Sequence, residues 1–122
     1  MTAVLGTIDP GLEIRRLGLG DVAGVSLRGE VELVSAPALT AALDDEIRTT
    51  SGPFVIDLGA VDFLDSSGIA CLVRARALLG RHDRQLVLVC PAGSARRALL
   101  LTGIDDLVPL YASREELARA LA

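Results

Sequence analysis

The chain has 122 residues, of which 51% are hydrophobic and 2% aromatic, and a formal net charge of −4. That length fits one domain, long enough to bury a core without disulfides or metal. So few aromatic rings and a negative charge count against base stacking, sugar binding and nonspecific attraction to nucleic acid.

All twelve basic residues are arginine. Cys71 and Cys90 sit in apolar contexts without a CxxC or Cys/His spacing, so they read as buried structural thiols. Met1 to Gly11 lacks the basic start and long apolar core of a signal peptide. No apolar run approaches the roughly 20 residues that span a bilayer. A soluble, cytoplasmic protein with no membrane partner is expected.

In chain order, residues 1–11 read as a flexible start ending in Pro10-Gly11, and 12–122 as one domain. Leu12 to Leu19 and Val22 to Arg28 read as strands joined at Gly20-Asp21, an antiparallel hairpin. Glu30 to Leu33 is a connector. A helix follows, with Ser35 as its cap, Pro37 in its first turn, and Leu39, Leu43 and Ile47 as an apolar stripe. Thr49 to Pro53 ends it. Phe54 to Leu58 is a strand buried on both faces, followed by a loop, Gly59 to Asp65.

A second helix runs from Ser66 or Ser67 to about Gly80, with Ile69, Leu72, Val73 and Leu79 inward. Gln85 to Cys90 is a strand stopped by Pro91. Ser94 caps a third helix that Gly103 terminates. Leu107 to Leu110 is an edge strand carrying Pro109. Ser113 and Glu116 form a capping box for a terminal helix with Leu117 and Leu121. The fold class is α/β. The expected sheet is mixed and mostly parallel, with four to five strands, an N-terminal antiparallel hairpin and about four helices.

Several patterns are set aside by their context. Gly18-Leu19-Gly20-Asp21-Val22-Ala23 matches a dinucleotide-binding string, but the next segment is strand-like and not helical, so a hairpin turn explains it. Asp57, Asp62 and Asp65 could gather around Mg²⁺, in the manner of a phosphoacceptor receiver domain. The chain lacks the lysine and the early acidic pair such a receiver uses, so the three read as solvated loop acids. His82 is the only histidine, and no base is visible that would make Ser66 a nucleophile. No enzyme, cofactor or metal is expected.

Asp65-Ser66-Ser67-Gly68 stands out. Ser and Asp are preferred helix caps, so capping alone could explain it. Yet two adjacent hydroxyls exceed what one cap needs. Gly68 leaves space for an approaching surface, and a helix start favours added negative charge.

Four blocks carry a resemblance. They are Gly29-Glu30-Val31-Glu32 ahead of the Ser35 helix; Val55-Ile56-Asp57-Leu58 with Val61 to Ile69 around the two serines; Gln85 to Val89; and Thr102 to Leu107. Together, from about Leu12 to Leu121, they resemble the bacterial anti-sigma factor antagonists, whose fold is the STAS domain. The resemblance implies that Ser66 is phosphorylated by a partner anti-sigma factor, itself an ATP-dependent serine kinase. The unmodified protein would bind that partner and free a sigma factor for transcription. A metal-dependent serine phosphatase would reverse the modification. Glu32, Asp65, Ser66, Ser67 and Gly68 would then face the partner. Glu32 departs from the family pattern, which has aspartate there, and its carboxylate reaches one methylene further. The alternative is a STAS scaffold or adaptor domain without a switch, in which Ser66 only caps.

Overall fold

A computed structural model describes residues 4–8 and 11–121 of the chain. Six strands form one sheet in chain order. They are β1 (Val4–Ile8), β2 (Leu12–Arg16), β3 (Ala23–Val31), β4 (Phe54–Leu64), β5 (Leu86–Val89) and β6 (Leu110–Tyr111). β1, β2 and β3 pair antiparallel, and β3 to β6 pair parallel. The helices are α1 (Ala36–Arg48), α2 (Ser66–Gly80), α3 (Ser94–Thr102) and α4 (Arg114–Leu121). A short 3-10 turn, Ile104–Asp106, precedes β6.

The mixed α/β class holds, with one strand more than expected. The extra strand is β1, which falls in the segment read as a loose start. Its pairing with β2 defines it, and Pro10-Gly11 beside it masks the signal in sequence. The β2–β3 connection is a turn, as its glycines required. Gly18 and Gly20 take positive φ of 67° and 56°, and Val22 N–H bonds to Leu19 O at 3.1 Å. No helix follows Gly20, so the dinucleotide string is a hairpin turn.

Successive side chains on a strand face opposite sides. Phe54, Ile56 and Leu58 join the main core with Leu39, Leu43, Ile47, Leu72, Leu79 and Leu99. Val55 joins a smaller core with Leu17, Val87, Val89 and Leu117. Right-handed crossovers between parallel strands that advance in one direction put α1, α2 and α3 on a single face. α4 covers part of the other face through Leu117.

The boundaries differ from the sequence reading in instructive ways. β4 runs on through the predicted loop to Leu64, and β3 takes in the predicted connector as far as Val31. Their pairing continues through Gly29 with Val61 and Val31 with Leu64, so ladder hydrogen bonds override weak local patterning. On α2, Val73 is exposed, while Cys71 and Ala75 are buried beside Leu72 and Leu79. Ser35 holds the N-cap position of α1, but its side chain makes no capping hydrogen bond. Its buried hydroxyl accepts from Glu32 N–H and donates back to the Glu30 and Glu32 carbonyls. Ser94 does not cap α3; Gly93 is the N-cap residue, and Ser94 Oγ donates to Asp62 O. The predicted Leu107 to Leu110 strand begins only at Leu110, after the turn that follows the 3-10 segment. The Ser113 cap is present: Ser113 Oγ accepts from Glu116 N–H, while the Glu116 carboxylate accepts from Ala112 N–H. Both cysteines are free and buried, and burial pushes the Cys90 thiol up. No helix among the described residues is long and apolar enough to cross a membrane.

One side chain fastens the end of α1 to the start of β5. Arg84 donates to the carbonyls of Ile47 and Gly52 and to Thr50 Oγ1, and burial lowers its pKa. Replacing Arg84 with alanine leaves those acceptors without their donor and should cost about 2 kcal/mol. Urea unfolding should show a lower midpoint with an unchanged slope.

Candidate functional site

The site grows out of the last rung of the β3–β4 ladder. Val31 and Leu64 are paired there, and Asp65 N–H donates to Val31 O at 3.2 Å. Asp65 keeps an extended backbone, with φ −105° and ψ −172°, and its Oδ1 accepts from Gly68 N–H at 3.0 Å. Asp65 O accepts the first helical bond, from Ile69 N–H. The aspartate therefore caps α2, and neither serine is needed for that task.

Ser66 occupies the first helical position and is exposed; Ser67 follows and is half-buried. Neither hydroxyl has a hydrogen-bond partner among the described residues. Ser66 Oγ is thus open to solvent where the helix dipole and unpaired N–H groups favour negative charge.

Gly68 turns the other way. It is buried, and a Cβ there would lie 2.5 Å from Leu64 Cδ1 and 2.8 Å from both Val31 Cγ1 and Val31 O. The sequence reading had Gly68 leave room for a partner outside. In the structure the close neighbour is inside, where the helix start presses on the ends of β3 and β4.

Glu32 lies in the β3–α1 turn, half-buried, held by the Ser35 hydroxyl network through its backbone. Its carboxylate makes no ion pair among the described residues. Beside it, Leu33 and Val34 are 71% and 61% exposed. Phe63, paired with Glu30 across the ladder, is 50% exposed. Glu30 and Asp62 are exposed at the same end of the sheet. These exposed apolar side chains and carboxylates all belong to the end of the β3–β4 ladder from which α2 starts. Leu33, Val34 and Phe63 escaped the sequence reading. The available signal was an adjacent apolar pair in a turn, without helical or strand periodicity to bury it.

The three aspartates do not gather as a metal site would require, and no such cluster occurs among the described residues. Asp65 caps α2. Asp62 is exposed. Asp57 is not a solvated loop acid but a buried one; its Oδ1 accepts from Gly59 N–H and its Oδ2 from Arg114 Nε at 2.6 Å, on the α4 side of the sheet. His82 is exposed at the far end of α2.

Comparison with known proteins places this geometry. The STAS domain family matches residues 14–117. The chain is 32% identical over 92 residues to the anti-sigma-F factor antagonist RsfB of Mycobacterium tuberculosis, a match covering 75% of each protein. The crystal structure of an anti-sigma factor antagonist from Mycobacterium paratuberculosis superposes with a TM-score of 0.83 at 30% identity, covering 94% of this chain and 97% of that one. SpoIIAA in its unphosphorylated form shares the fold, with a TM-score of 0.68 at 16% identity over 89% and 95% of the two chains. These relatives are named as antagonists of other proteins and not for a catalysed reaction. The chain belongs to the STAS domain family, among its anti-sigma factor antagonists.

Proposed function

We propose that this protein binds an anti-sigma factor in its unmodified form, and that phosphorylation of Ser66 releases it. The observation that carries this reading is the exposed Ser66 hydroxyl at the start of α2, left idle because Asp65 makes the cap. The named relatives, anti-sigma factor antagonists, support the class of partner.

In this reading the partner is a serine kinase that supplies ATP and the base. Ser66 Oγ attacks the γ-phosphorus, its proton passes to the kinase, and ADP leaves. This chain contributes an accessible oxygen on a rigid helix start and needs no catalytic group of its own. A metal-dependent serine phosphatase restores the hydroxyl.

The added group carries about −1.5 to −2 charges at pH 7. The start of α2 tolerates it, through the dipole and the free N–H groups. The fold therefore stays, and the effect falls on the contact. Leu33, Val34 and Phe63 give the contact apolar area. Glu30, Glu32, Asp62 and Asp65 make it acidic, so a partner must answer with positive charge. A bulky dianion set into that contact displaces the partner's matching atoms. A loss of about 3 kcal/mol weakens binding a hundredfold or more. Freed of the antagonist, the anti-sigma factor returns to its sigma factor.

Ser66→Ala should bind the anti-sigma factor whether or not ATP is present, and Ser66→Asp should bind at least tenfold more weakly than wild type in calorimetry. Equal affinity for wild type and both variants would leave a scaffold without a switch. Mass spectrometry after incubation with the kinase should map the phosphate to Ser66 and not to Ser67. Gly68→Ala puts a methyl into the Leu64 and Val31 contacts and should cost about 1–3 kcal/mol of stability. Phosphorylation of the folded fraction should also slow, since the helix start moves.

A further inference from the structure

A second polar site lies on the opposite face of the sheet. Glu13 and Arg15 on β2, Ser26 and Arg28 on β3, Asp57 on β4 and Arg114 on α4 line a basin of about 320 Å³. Strand pairing sets Glu13 opposite Arg28 and Arg15 opposite Ser26, so the basin floor is fixed by the ladder. Its far wall is the first turn of α4, tied down by Arg114 to Asp57 at 2.6 Å.

Three features make the basin unusual for this molecule. The chain has 16 carboxylates against 12 arginines, yet here three guanidinium groups meet two carboxylates. Both ion pairs use only the Nε edge: Arg15 Nε to Glu13 Oε1 at 2.7 Å, and Arg114 Nε to Asp57 Oδ2. The forked Nη edges, which suit a planar or tetrahedral oxyanion, have no protein acceptor among the described residues. Arg28 makes no hydrogen bond among the described residues, and its charge reaches the basin. The hydrogen bond from Arg15, followed by the charges of Arg15 and Arg28, keeps the Glu13 carboxyl below its usual range.

We propose that this basin binds a phosphate-type oxyanion, either inorganic phosphate or the phosphate of a small metabolite. Arg28 meets it directly, while Arg15 and Arg114 offer their Nη donors without giving up their carboxylates. The volume admits a phosphate with bound water or with a sugar attached, at about 30 Å³ per water. The site is separate from Ser66, which lies at the end of β4 beside the helical layer.

The test is an NMR titration of the full chain with sodium phosphate, run against sodium chloride at matched ionic strength. Phosphate should shift amides of β2, β3 and the start of α4 in a saturable way that chloride does not reproduce. Arg28→Ala, a change at an exposed side chain, should weaken the response at least fivefold, and Arg28→Lys should restore part of it. Ser66→Ala should respond like wild type, which keeps this outcome independent of the switch. A parallel titration with a nucleoside 5′-monophosphate identifies the source: tenfold tighter binding assigns the phosphate to a nucleotide, and equal binding assigns it to the free ion. A response matched by chloride, or one unchanged in Arg28→Ala, overturns the proposal.

Discussion

The parallel pairing of β3 with β4 runs past Leu58 to Val31 and Leu64, both still in the hydrophobic core, and the start of α2 depends on that reach. A ladder that stopped at Leu58 would leave seven residues of loop before α2. Carried to its last rung, it delivers Asp65 to the cap position with its N–H already bound to Val31 O. The same rung ends β3 and starts the turn that displays Glu32, Leu33 and Val34. Two segments far apart in sequence are thus set side by side by one run of backbone hydrogen bonds.

Within the Asp-Ser-Ser-Gly block Asp65 and Gly68 have separate tasks. Asp65 takes one of the orphan N–H groups of the helix, that of Gly68. Gly68 lets the helix start settle against Leu64 and Val31. Those two roles are structural, and they hold the backbone of Ser66 rigid while its side chain stays outside. A hydroxyl that also capped the helix would be lost from the cap on modification, at a cost of about 1 kcal/mol. With the cap on Asp65, the phosphorylation proposed at Ser66 would leave that capping bond in place.

Much of this was legible from sequence where the signal is local. The four-residue spacing of Leu39, Leu43 and Ile47 marks α1, and all three are buried. Gly18 and Gly20 mark the hairpin turn. The block around Ser66 marks the strand-to-helix junction. Other features depend on partners that sequence does not name. β1 exists through β2. The second half of β4, with Gly59 and Ala60 in it, exists through β3. Ser35 and Ser94 look like caps because their residue type favours caps, but tertiary acceptors at Glu30 and Asp62 claim their hydroxyls instead. Asp57 reads as a loop acid until α4 folds back and supplies Arg114. The exposure of Leu33, Val34 and Phe63 is a property of the assembled surface and has no periodic signature.

The sheet divides the apolar interior unequally. Three helices seal the large core, whereas the smaller one is closed by a single short helix through Leu117 and the Arg114–Asp57 pair. So few fastenings put α4 at the low end of the local-unfolding scale, well below the global stability. Its amides should then exchange with deuterium through a partial opening that leaves β3, β4 and α2 intact. A helix so lightly held is expected to open as a small unit of its own, and whatever settles against its first turn would set how often it lifts away.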